Sequence, residues 1–153
     1  MSAVVEDIVG ALETQIESVE PYLKKLDFVI DAQKQYQNLR SQANRYGVFP
    51  LDATVDQIVT NYYIVDHDFR VQLLREYANR DDDLNQREVT YALYDDMDTI
   101  IRQVHQSRLA CPDIIKNVLL SSISEPEFFE ESNVALLEAI FVIKYNKSTS
   151  WNT

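Results

Sequence analysis

The chain has 153 residues, and its 25 aspartates and glutamates outnumber 14 lysines and arginines, leaving a formal net charge of -11. This length suits one domain with its own core, and 46% apolar residues is too many for a disordered acidic tail. The single cysteine excludes an internal disulfide, and the acid surplus argues against direct nucleic-acid binding and against an anionic membrane.

Only two glycines occur, Gly10 and Gly47, with no Asn-Gly or Asp-Gly pair. Hairpins, bulges and phosphate loops all draw on glycine. The expected fold is therefore all-α: a compact single-domain bundle of five to six helices over residues 1–153, with 146–153 a fraying tail.

The first predicted helix runs from about Ala3 to Val19. Val4, Ile8, Leu12, Ile16 and Val19 recur at three- and four-residue spacings, opposite Glu6, Asp7, Glu13 and Glu17. Pro21 breaks it, because the residue before a proline avoids helical geometry. A second helix is expected from Pro21 to Tyr46, with Gly47 as its left-handed terminator. A third opens at Asp52 or Thr54, where Thr54 and Gln57 have capping-box spacing. Val55, Tyr62, Val65, Phe69, Leu73 and Tyr77 line its apolar side, and His67 falls on its polar side.

Helix four is expected from Asp83 or Asn85 to about Ser107, with Val89, Leu93, Met97, Ile100 and Val104 inward. Pro112 suits the first turn of a short fifth helix carrying Ile115, Val118 and Leu119. Ser124 and Glu127 open a turn. The last predicted helix, Ser132 to Tyr145, is apolar all round, which demands cover on every side. It reads as the centre of the bundle or as an oligomer interface. Its competing reading is a buried strand over Ala139 to Tyr145, given the β-branched and aromatic content there. The apolar run Val134 to Ile143 is interrupted by Glu138 and is half of a ~20-residue membrane span.

No constellation carries recognisable chemistry. Asp95, Asp96 and Asp98 could hold Mg²⁺ through hard oxygens, but a solvated helix face is the better reading. Di-iron bundles need Glu-x-x-His pairs, and Ile64 and Arg102 precede the two histidines at that spacing. Glu17 and Glu20 have an ExxE spacing, yet 27–51 contains no glutamate to complete a nucleotide-cleaving site. Cys111 is read as an inert thiol.

The expectation is a non-enzyme without cofactor or metal: an acidic cytoplasmic domain of the inhibitor, immunity, antidote or nucleic-acid-mimic kind that docks on a basic protein surface. The predicted partner-binding residues are Asp81, Asp82, Asp83, Glu88, Tyr91, Tyr94, Asp95 and Asp98, where carboxylates interleave with tyrosines suited to interfaces. Two alternatives stand beside it. One is a homo-oligomeric structural or adaptor protein joined through the C-terminal helix. The other is a small metal- or nucleotide-dependent helical enzyme using His67 or His105 as base.

Overall fold

The computed structural model describes residues 4–31, 39–58, 60–77, 83–107, 109, 115–129 and 132–148. Two α-helices, α1 (Val4–Val19) and α2 (Asp83–Ser107), lie where periodicity placed them. The other regular structure among the described residues is mainly a sheet. Its strands are β1 (Lys24–Lys25), β2 (Arg45–Ile58), β3 (Tyr62–Glu76), β4 (Ile115–Ile123), β5 (Glu127–Phe129) and β6 (Val134–Ser148), in the order β1-β2-β3-β6-β4, with β5 also on β6. All pairings are antiparallel except the short parallel β1–β2 contact. The all-α expectation is overturned: predicted helices three, five and six are strands. The described residues of predicted helix two are irregular apart from β1, one 3₁₀ turn at Leu39–Gln42 and the start of β2, and 32–38 lie outside the described residues.

The glycine argument failed because asparagine does the work at two turns. Asn44 and Asn133 hold left-handed φ angles of 57° and 54° immediately before β2 and β6, and asparagine tolerates that region better than other side chains bearing a Cβ. Neither glycine serves a turn. Gly10 is inside α1, and Gly47 lies within β2, where an added Cβ would overlap the Phe49 ring. Pro50 is also within β2, tolerated because β1 pairs only as far as Tyr46 and leaves the remainder of β2 as an edge.

One face of the sheet carries both helices. Ile8, Leu12 and Ile16 of α1 and Leu93, Met97, Ile100 and Val104 of α2 share a core with alternate strand residues. Those are Val65, Phe69, Val71 and Leu73 of β3, and Leu137, Ala139, Phe141, Ile143 and Tyr145 of β6. The helices run antiparallel: Tyr22, just past α1, reaches Asp96, while Gln15 accepts a hydrogen bond from Gln103 at 2.7 Å.

Among the described residues, the opposite face is covered at one end only. There Ile30, Leu39, Leu74, Val134 and Leu136 form a second small core, joined by Leu26, Ala43 and Phe129. Gln72, fully buried, fastens this cover. Its side-chain oxygen accepts from the Ile30 N–H at 3.0 Å, and its amide donates to the Ile30 carbonyl at 2.5 Å and to Glu138 at 2.6 Å. The all-round apolar character of Val134 to Ile143 thus belongs to a central strand, covered by the helices on one face and around Val134 and Leu136 on the other, not to a central helix. Residues 146–148 continue β6 rather than fraying, and 149–153 lie outside the described residues, as does Cys111.

Candidate functional site

Of the residues singled out for binding, those described fall on α2. Asp81 and Asp82 lie outside the described residues, and Asp83 is the first residue of the helix. Because Val89, Leu93, Met97, Ile100 and Val104 face the sheet, positions three and four apart on the other side turn outward. Glu88, Tyr91, Tyr94, Asp95 and Asp98 are all exposed there, Tyr91 by 62% and Tyr94 by 38%. The Tyr94 hydroxyl points toward the Ser124 carbonyl at 3.4 Å. Asp98 is engaged: Arg102, one turn on, approaches it at 2.8 Å. Such an exposed i,i+4 pair contributes only about 0.3–0.5 kcal/mol.

The carboxylates extend beyond this stripe onto α1, which carries Glu6, Asp7, Glu13 and Glu17 and no basic residue. Helix α2 adds five carboxylates against Arg87 and Arg102. The strands, by contrast, hold eight lysines and arginines against seven aspartates and glutamates. Within the described elements, then, the helical layer has a net charge of -7 and the sheet of +1. Among the described elements, the negative charge is concentrated in the helical layer. Part of the acidity on α1 is spoken for: Lys25 pairs with Glu13 at 3.3 Å, and the Tyr46 hydroxyl donates to Glu17. Burial, followed by this bond to Glu17, pushes the Tyr46 phenol well above its usual range.

Between the helices lies a polar cluster that the sequence did not reveal, formed by Glu20, Tyr22, Arg75 and Asp96. The Tyr22 hydroxyl donates to Asp96 at 2.8 Å; Arg75 donates to Asp96 at 2.8 Å and to the Tyr22 oxygen at 2.9 Å. Glu20, only 8% exposed, is buried close enough to Asp96 and Tyr22 to feel both electrostatically. Burial first, then the Asp96 charge, raises the Glu20 pKa, and burial with Asp96 raises Tyr22 above its ordinary range. For Arg75 burial acts downward but is outweighed by its bond to Asp96 and that carboxylate's charge, so the guanidinium stays protonated. Two carboxyl groups, one of them bonded to Arg75, join the exit of α1, β3 and α2.

The sign of its pH dependence follows. A folded-state pKa above the ordinary 4.5 means that the fold binds this proton more tightly than the unfolded chain does. The contribution of Glu20 is complete below about pH 4.5 and is lost as pH rises through the raised value. Glu20→Gln, neutral throughout, is expected to melt above wild type at about pH 7 and level with it at about pH 4. Thermal melts at the two pH values check this, and equal melting at both would dissolve the pair.

His67, expected on a polar helix side, is instead buried on the helix-covered face of β3, 6% exposed. Its Nε2 lies 2.9 Å from the Leu51 carbonyl, which only accepts, so Nε2 carries the proton and Nδ1 accepts from the Tyr145 hydroxyl at 2.9 Å. Its ring also packs on Phe69, with centroids 4.5 Å apart. Both nitrogens are occupied in structural bonds, which corrects the reading of an exposed histidine. His105 is exposed near the end of α2 and presents its ring edge-on to Phe141.

Among the described residues no group of three or more His, Cys, Asp or Glu could hold a metal, and no helix is long and apolar enough to cross a membrane. No family model matches the chain, and no curated protein matches it in sequence. Charge and geometry therefore carry the functional reading.

Proposed function

We propose that this is a non-enzymatic binding domain whose acidic helical layer docks on a basic protein surface, in the manner of an inhibitor, immunity, antidote or nucleic-acid-mimic protein. The observation that carries the reading is the segregation of charge: -7 on two adjacent helices against +1 on the sheet beneath them. A one-sided field of this kind orients a cationic partner during approach and speeds productive encounter. Tyr91 and Tyr94, exposed amid Glu88, Asp95 and Asp98, supply the apolar contact that charge alone lacks. A cytoplasmic setting belongs to the same proposal, since a chain with one cysteine draws nothing from an oxidising compartment.

Immobilised protein should capture a basic partner from host lysate, and the partner should elute as salt rises, because exposed charges are screened. The combined reversal Glu6→Lys, Asp7→Lys, Glu88→Lys and Asp95→Lys, all at exposed positions, should abolish that capture with the circular dichroism spectrum unchanged. Tyr91→Ala should weaken binding about 30-fold, equivalent to about 2 kcal/mol for a central aromatic. A partner held equally by the reversed protein would remove the helical layer from the reading.

A further inference from the structure

Among the described residues, the sheet face turned away from the helices is covered only near Gln72 and Leu74. Beyond that cover it stays open along successive rows of register. Phe49, Arg70 and Ile140 stand in one row, with Asp68, Val142 and Leu119 in the next. Phe49, Ile140 and Val142 are half-buried, and Leu119 is 55% exposed. Two polar groups on this face are incompletely served. Asp68 has no hydrogen-bond or ion-pair partner among the described residues. The Arg70 Nε is buried without a hydrogen bond, and its nearest carboxylate, Glu138, stands 3.9 Å away and already accepts from Gln72.

We infer that this open face is where two copies of the chain meet, sheet against sheet. The inference concerns the side opposite the helical layer and goes beyond the proposed docking function. Charge selects the occupant. Helical layers brought together would oppose -7 with -7, whereas the two open rows carry one arginine and one aspartate and leave both acidic layers outermost.

The face is also self-complementary. A two-fold axis lying between the sheets, perpendicular to the strands and passing between the two rows, sets Arg70 of each copy against Asp68 of the other. The same axis sets Ile140 against Val142. An isologous contact of this kind repeats each pairing twice, and sheets stacked about 10 Å apart allow their side chains to interdigitate. It supplies the carboxylate that Arg70 lacks and covers the apolar side chains of both rows. The interface that the sequence suggested for a C-terminal helix is in this way transferred to the outer side of strand β6.

Sedimentation velocity of the full chain at about 100 µM decides it. Wild type is expected at twice the chain mass. Asp68→Arg alone and Arg70→Asp alone should each sediment as monomers with wild-type circular dichroism. Mixed in equal amounts they should recover the dimer, because one copy then offers two arginines to the two aspartates of the other. If Arg70→Asp loses its fold, Leu119→Asp, at a side chain more than half exposed, should give the monomer instead. A monomeric wild type, or variants that remain dimeric singly, overturns the inference.

Discussion

Phe141→Ala is expected to cost about 3–5 kcal/mol, the usual range for emptying a fully buried aromatic site. For a chain of this size that lowers the melting temperature by roughly 6–20 °C. Phe141 is fully buried on β6, registered opposite Phe69 on β3 and Leu120 on β4, with the His105 ring edge against it from α2. Three strands and a helix converge on this ring, so no single neighbour can collapse into the space it leaves. The contrast with its neighbour is as informative as the loss itself. Val142 points to the other face and is only half-buried, so Val142→Ala in dilute solution should cost about 1 kcal/mol. A helix covered on all sides would show no such alternation between adjacent positions. Thermal and urea unfolding of the two variants would measure it, and equal losses would contradict the strand.

Gln72→Leu should be comparably damaging, at about 2–5 kcal/mol, although it replaces a polar core residue by an apolar one of similar size. The amide of Gln72 acts as a substitute strand for Ile30, taking its N–H and supplying a donor to its carbonyl. Removing it leaves both backbone groups buried and unpaired, each costing about 1–3 kcal/mol, and takes a donor from Glu138 as well. The damage should be local before it is global. Hydrogen exchange at the Ile30 amide should accelerate by more than the drop in overall stability accounts for, because only the cover over Leu74 and Leu136 depends on this bond. Wild-type protection at Ile30 in the variant would show that the cover is held by its apolar contacts alone.

Both results bear on why the sequence was legible in some places and misleading in others. Helices α1 and α2 could be read because each keeps a single buried stripe against the sheet and a polar back, a pattern only a 3.6-residue period produces. The placement of Glu88, Tyr91, Tyr94, Asp95 and Asp98 on one exposed side of α2 came from the same reading. Strand β3 misled because Val65, Phe69, Leu73 and Tyr77 are spaced by four. Four residues make roughly one helical turn, and they are also two full strand repeats, so the pattern fits either structure. The discriminating residues are His67 and Val71, at the intervening even spacing: a helical wheel turns His67 to the polar side, whereas a strand turns it inward, where Tyr145 and the Leu51 carbonyl meet it. Strand β6 lost its alternation because the segment around Ile30 covers part of its second face, and a strand buried on both sides has no polar alternation to display.

The Glu20–Tyr22–Arg75–Asp96 cluster was hidden for a related reason. Its members are spread over 77 positions in number order, and nothing local marks Arg75 as the cation for Asp96. A residue-type signal existed only in Glu20, an acid next to a helix-breaking proline.

From its sequence alone this protein is an acidic single-cysteine chain, and two of its predicted helices, each with one apolar stripe and an acidic back, are legible. Net charge and helical stripes are local quantities, summed or counted along the chain without knowing what touches what. Whether the remaining apolar segments coil or pair, which of them lies at the centre, and which sheet face stays open were decided only by tertiary structure. Strand pairing joins residues far apart in the chain, and a side chain's burial depends on what is folded over it.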